Sequence, residues 1–160
     1  MRPSRHIIIS FPLSLAVWIF LKSLSAATVC FIAGVFIDVD HLIEYLINFG
    51  WRGFSLQNCY RECDYNTVRK GLFRFKKLYL IFHGFEFAAI FWLLAFYTRD
   101  IYVFAFAIGY FSHLILDAAG NLAFVQPYFY FISWRAGYKF RSIKLMNKEI
   151  AQKNKHLEIT

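Results

Sequence analysis

The sequence predicts an all-α fold, an integral membrane bundle of about four transmembrane helices plus an interfacial or re-entrant segment, and three observations predict it. The chain is 59% hydrophobic and 21% aromatic, with a mean hydropathy of +0.44, whereas soluble domains are typically about 45–50% apolar. Its apolar residues fall in runs that approach or exceed the roughly 20 residues a spanning helix needs. Its cations collect in flanks between those runs: seven Lys and Arg between Trp51 and Lys77, seven more after Trp134, and Arg2 and Arg5 ahead of the first run.

The first run covers residues 6–21 and ends at Lys22. Its charged start, apolar stretch and small residues Ser23 to Ala27 also fit a signal peptide, so a retained helix and a removed leader are both open for residues 1–26. The second run, 26–49, carries Asp38, Asp40, His41 and Glu44 in its second half. A polar, basic stretch, 50–77, is too polar to span and reads as a cytoplasmic loop. The third run, 78–97, carries His83 and Glu86, and Thr98 to Asp100 make a tight turn before the fourth, which passes through His113 and Asp117 to Gly120 and Asn121. Residues 122–134 are aromatic but broken by Gln126-Pro127, which suits an interfacial or re-entrant piece. The domain reading is therefore a transmembrane part, 1–134, and a basic cytoplasmic tail, 135–160, with a partly helical surface character.

The net charge of +8 raises nucleic acid as a partner, but cations grouped at the ends of apolar runs are what membrane topology produces, and a nucleic-acid role is set aside. Placing the three basic flanks on one side puts both termini and the 50–77 loop in the cytoplasm, with turns at Lys22 and at 98–100 outside. Four spans satisfy every flank; five would put the basic tail outside. The expected location is the inner membrane, with the lipid bilayer as partner and the oligomeric state open. The cysteines Cys30, Cys59 and Cys63 match no zinc spacing and are read as reduced thiols, a Cys59–Cys63 contribution to metal binding being the lesser alternative.

The acids carry the functional signal. Asp38, Asp40, Glu44, Glu86 and Asp117 lie within apolar runs, with no Lys or Arg beside them, and His6, His41, His83 and His113 lie in or at the edge of the same runs. A charge at a helix centre costs about 2.5–3.5 kcal/mol on insertion scales, so something must neutralise five carboxylates. Neutral imidazoles beside carboxylates suit a divalent metal, zinc first, with manganese and iron as further candidates. In the four-span topology all these clusters fall at the cytoplasmic half of the bundle. His113 and Asp117 at i and i+4, and His83 and Glu86 at i and i+3, would each share a helix face, with Gly109, Gly120 and Asn121 near the stripe of His113. Asp38 and Asp40 stand about 200° apart on a regular helix, so only one joins His41 unless the helix unwinds there. The predicted ligands are His6, Asp40, His41, His83, His113 and Asp117. Glu86 and Glu44 are the candidate general bases, and Asp38 is a base or a supporting group.

The segments Gly34-Val-Phe-Ile-Asp38-Val-Asp40-His41 and Ser112-His113-Leu-Ile-Leu-Asp117 resemble the family of membrane-bound, metal-dependent hydrolases once described as LexA-binding inner-membrane proteins. That family has an N-terminal His, a Pro-Asp-x-Asp-His motif and a Ser-His-x-x-x-Asp motif, and the likeness extends over roughly residues 5–128, including Pro127. Two departures stand out. Ile37 occupies the Pro position, and Phe82-His83-Gly84-Phe85-Glu86 replaces a His-Arg-Gly-x-Thr-His element. The resemblance implies a multi-pass, metal-dependent hydrolase; the cytoplasmic depth of the residues adds a lipid-like phosphoester or ester as substrate. The alternative from the residues alone is an intramembrane transporter of protons or metal ions, since acids and histidines also form relays. Haem or di-iron ligation fits less well. Haem leaves the acids unexplained, and di-iron sites want Glu-x-x-His pairs. His156 in the tail is read as solvated.

Overall fold

The computed structural model describes residues 3–52 and 54–157. Arg2, the side chain of Arg5, and Gly53 in the turn after the second run lie outside the described residues. The described residues are all-helical, with strand pairing limited to two isolated bridges. In chain order the helices are α1 (Pro3–Leu21), α2 (Leu24–Phe36), α3 (Val39–Phe49), α4 (Leu56–Cys63), α5 (Tyr65–Arg69), α6 (Phe85–Thr98), α7 (Ile101–Asn121), α8 (Ile132–Gly137), α9 (Ser142–Leu145) and α10 (Lys148–Lys153), followed by a 3-10 turn at Lys155–Leu157. The chain divides into two units, one of Met1–Asp38 and Phe82–Ala119, the other of Val39–Ile81 and Gly120–Thr160.

The first unit is built from two helical hairpins. Lys22 takes the left-handed conformation (φ 53°) to close α1, and Ser23 caps α2 by accepting from the Ala26 amide at 3.2 Å. Arg99 repeats the device (φ 53°) at the end of α6, where its amide donates to the Ala95 carbonyl at 2.9 Å. Asp100 then starts α7 by accepting from Tyr102 and Val103 amides at 2.7 and 3.0 Å. Val17, Ala26, Ala27, Cys30 and Ala105 form the buried seam between α1, α2 and α7. Small residues let the backbones approach closely: a Cβ added at Gly109 would lie 2.1 Å from the Cys30 carbonyl oxygen. Large apolar side chains face outward on every helix, among them Ile8, Phe20, Leu24, Phe36, Leu93 and Ile115.

Two stretches, Leu24–Phe49 and Ile101–Asn121, are long and apolar enough to cross a membrane. The first is interrupted by a turn at Ile37 and Asp38, between α2 and α3. The helix therefore does unwind between Asp38 and Asp40. Of the other two expected spans, α1 covers its whole run and α6 is shorter than expected. The expected helix over 78–97 begins only at Phe85, so α6 has 14 residues, about 21 Å against a hydrocarbon core of about 30 Å.

The reason lies in the second unit. Glu44 on α3 is buried, and its Oε2 accepts from the Tyr79 and Leu80 amides at 2.9 and 3.0 Å. Arg135 on α8 is fully buried, and its Nη1 donates to the Tyr79 and Leu80 carbonyls at 2.5 and 3.0 Å. One carboxylate and one guanidinium thus hold both backbone polar groups of two consecutive residues. Helical hydrogen bonding loses to this clamp, and Leu80 sits at φ 39°.

The tail is likewise no surface segment. Arg135, Ser142, Leu145, Met146, Ile150 and Asn154 are buried. Asn154 accepts from the Phe73 amide at 3.2 Å and donates to the Val68 carbonyl at 3.2 Å, tying α10 to the loop before residue 78. Gly71 (φ 74°) passes so close to Lys153 that a Cβ would sit 2.6 Å from its carbonyl oxygen. Phe73 and Phe75, within the polar basic stretch, belong to this core.

Candidate metal centre

Five side chains converge at one end of the first unit, each delivered by a different piece of local structure or a different turn of it. His6 lies in the second turn of α1, and Asp38 lies in the turn that follows α2. His83 immediately precedes Gly84, the N-cap of α6. His113 and Asp117 lie one turn apart late in α7, on the buried stripe that begins with Ala105 and Gly109. His6, His83, His113 and Asp117 are at most 1% exposed, and Asp38, with 17% of its side chain exposed, is the most open member.

The three imidazoles present Nε2 to the two carboxylates. His6 Nε2 lies 3.1 Å from Asp117 Oδ1 and 4.0 Å from Asp38 Oδ2. His83 Nε2 lies 3.2 Å from Asp117 Oδ2 and 3.6 Å from Asp38 Oδ1. His113 Nε2 lies 3.4 Å from Asp38 Oδ1 and 3.7 Å from Asp117 Oδ2. A metal with N and O ligands at about 2.0–2.2 Å separates neighbouring ligand atoms by about 3 Å in octahedral and 3.4 Å in tetrahedral geometry. The cluster matches that spacing. One donor atom each from His6, Asp38, His113 and Asp117 lie within 4.8 Å of one another.

Orientation distinguishes a ligand set from a packing network. His113 Nδ1 lies 3.0 Å from the Gly34 carbonyl, which only accepts, so Nδ1 is the donor and Nε2 is the nitrogen turned to the carboxylates. The His6 ring stacks on that of His113 at 4.0 Å with 19° between planes, and the His83 ring meets His113 edge-on at 5.4 Å. The Nε2 of His113 is buried and makes no hydrogen bond, whereas a network serving only as interhelical glue would use it. Three borderline nitrogens with two hard carboxylates fit a divalent ion.

Two further residues shape the site. Gly34 has no side chain to offer, yet its carbonyl orients His113, and the space left by its missing Cβ is taken by the buried Ser10, whose Oγ would lie 2.4 Å from an added Cβ. Tyr110 on α7 donates its hydroxyl to the Phe82 carbonyl, holding the peptide just before His83. Among ten tyrosines no spacing marks Tyr110 for this role.

The other expected residues sit on α6 and α3. His83 and Glu86 do not share a helix face, because His83 precedes α6 and the half-buried Glu86 lies in its first turn. Asp40, His41 and Glu44 belong to α3 in the second unit, Asp40 and Glu44 buried and His41 half-buried. Glu44 spends its carboxylate on the Tyr79 and Leu80 amides and on Asn48 Nδ2 at 3.0 Å. Gly120 is exposed rather than part of the buried stripe. Cys59 donates to the His41 carbonyl at 3.8 Å, and a hydrogen bond with Cys63 lowers its pKa. His156 is exposed and engages the Phe73 carbonyl at 2.8 Å. Comparison with protein-family models, curated proteins and solved structures finds no match to this chain.

Proposed function

We propose that this chain is a multi-pass inner-membrane protein that uses a divalent metal ion, held by His6, Asp38, His83, His113 and Asp117, to hydrolyse a phosphoester or ester of a lipid-like substrate. The observation that carries this reading is the convergence of three Nε2 atoms on two carboxylates at 3.1–4.0 Å. Zinc suits the donor set best, with manganese and iron next. Four spans, α1 and α6 included, with both termini cytoplasmic, remain the arrangement that fits the basic flanks. His6 supplies a donor, which argues that residues 1–26 are retained rather than removed as a leader.

A divalent ion held by His6, Asp38, His83, His113 and Asp117 would supply Lewis acidity toward a bound water and a phosphoryl or acyl oxygen. The protein does the rest. Gly34 keeps His113 in one tautomer, Tyr110 holds the approach to His83, and the exposed edge of Asp38 is the side from which a substrate reaches the cluster. Glu86, half-buried in the first turn of α6, takes the proton of the attacking water.

The test is hydrolysis of generic phosphodiester and ester substrates by the purified protein, set against ion flux in liposomes. Glu86→Gln is expected to lower turnover about 10²–10⁴-fold while leaving the metal in place. Proton-driven ion uptake without cleavage of any substrate would show a transporter instead.

A further inference from the structure

Lys77 and Arg141 form an isolated antiparallel bridge in the second unit. The flanking hydrogen bonds, Leu78 amide to Phe140 carbonyl at 2.8 Å and Ser142 amide to Lys76 carbonyl at 3.1 Å, define it as a non-hydrogen-bonded pair. In that arrangement opposite side chains approach most closely, with Cβ atoms about 4.5–5.5 Å apart. Two like charges directly opposite destabilise a bridge, and both side chains are exposed. Among the described residues neither makes an ion pair. Among the unit's described carboxylates, Glu62 pairs with Arg74, Glu149 with Lys153, Asp64 accepts from the Asn66 amide, Glu44 accepts from the Tyr79 and Leu80 amides, and Asp40 is buried on α3.

The backbone nevertheless goes to some length to bring these cations together. Asn48 Oδ1 accepts from the Lys76 and Lys77 amides at 3.1 and 3.3 Å, and Asn48 Nδ2 donates to the Lys77 carbonyl at 3.2 Å, which fixes one side of the bridge. On the other side Lys139 and Phe140 both take left-handed conformations (φ 53° and 57°) to turn the chain back into Arg141. Neither is glycine, so the turn is strained. The Phe140 ring packs on Tyr79 at 5.0 Å, and Lys77 Nζ lies 5.9 Å from the Tyr79 ring, drawing the ammonium along the same face. Two exposed cations pinned opposite each other by the backbone offer paired donors to an anion.

We propose that the Lys77–Arg141 bridge binds the phosphate of an anionic phospholipid headgroup. The forked guanidinium and the ammonium both suit phosphate oxygens. The lipid source follows from composition: the chain carries two stretches long and apolar enough to cross a membrane, and the bridge lies in the unit that carries the whole net charge of +8, the kind of basic segment an anionic leaflet attracts. Only the membrane part of the proposed function is assumed; the metal is not.

The experiment measures thermal unfolding of the detergent-purified chain with short-chain phosphatidylglycerol, short-chain phosphatidylcholine or inorganic phosphate. Wild type is expected to gain about 3 °C at a phosphatidylglycerol concentration ten times its dissociation constant, and little from the other two. The Lys77→Gln/Arg141→Gln double variant is expected to melt higher than wild type without lipid, because the repulsion is gone, and to lose the phosphatidylglycerol response. An Arg52→Gln/Lys148→Gln variant, which removes two other exposed cations of the same unit, should keep it. Equal responses in wild type and the bridge variant overturn the proposal, and so does a full response to inorganic phosphate alone. Metal content measured on the same samples separates the two readings: a metal-free chain that still responds to phosphatidylglycerol would fail the metal centre and leave the lipid site standing.

Discussion

His113 is held from behind by a glycine. The Gly34 carbonyl accepts a hydrogen bond from its Nδ1, and the absent Gly34 side chain makes room for Ser10 one turn beyond His6 on α1. Gly34→Ala would place a Cβ 2.4 Å from Ser10 Oγ, so α1 or α2 must shift. We expect a loss of about 1–3 kcal/mol in stability together with weaker metal binding, read by thermal unfolding and elemental analysis. Gly50→Ala, which meets open space at φ 74°, should cost only about 1–2 kcal/mol and leave metal content unchanged. Equal metal retention in both variants would mean that Gly34 does not position the site. At this scale much was legible in advance. The i, i+4 spacing of His113 and Asp117 marks one face of any helix, and acids without basic partners mark a burden something must neutralise. The choice between Asp38 and Asp40 was not legible, because it depends on where α2 stops. Regular helix geometry allows only one of them beside a ligand, and the turn at Ile37 and Asp38 delivers Asp38 to the cluster of the first unit.

Among the elements, the segment before α6 departs furthest from expectation. Residues 78–84 have the hydrophobicity of a spanning helix, and hydrophobicity is all that periodicity reads. What unwinds them is a carboxylate 35 positions earlier, Glu44 on Tyr79, and a guanidinium 56 positions later, Arg135 on the same residue. No local pattern encodes such partners. The account predicts that Arg135→Gln destabilises the chain by about 3 kcal/mol or more, since two hydrogen bonds from a charged donor are lost to buried carbonyls. Amide exchange at Tyr79 and Leu80 should quicken in both Arg135→Gln and Glu44→Gln. Unchanged exchange at these two amides would show that the clamp is not what holds the segment. The same burial argument revises how the loop cysteines should report. Cys63 is half-buried and Cys59 only 8% exposed, so a thiol reagent should label Cys63 first, even though the hydrogen bond from Cys63 lowers the Cys59 pKa.

Over the whole molecule, charge and hydrophobicity separate by unit. Fourteen of the eighteen Lys and Arg, and six of the ten acids, lie in residues 39–81 and 120–160, so those segments carry the entire net charge of +8. Residues 1–38 and 82–119 are balanced, carry the outward apolar side chains of α1, α2, α6 and α7, and contain the His/Asp cluster. This division was half visible in the sequence as basic flanks around apolar runs. That the tail folds with the 50–77 stretch was not, because its buried positions, such as Ile150 and Asn154, are spaced among surface lysines. Reagents confined to the cytoplasmic side should therefore reach Cys63, and labelling only from the opposite side would invert the proposed topology. Elemental analysis of the detergent-purified chain, with His113→Ala and Asp117→Ala prepared in parallel, decides whether the cluster holds a metal. Stoichiometric zinc, manganese or iron is expected in wild type, with most of it lost in both variants; metal-free wild type, or undiminished metal in both variants, would rule the metal out.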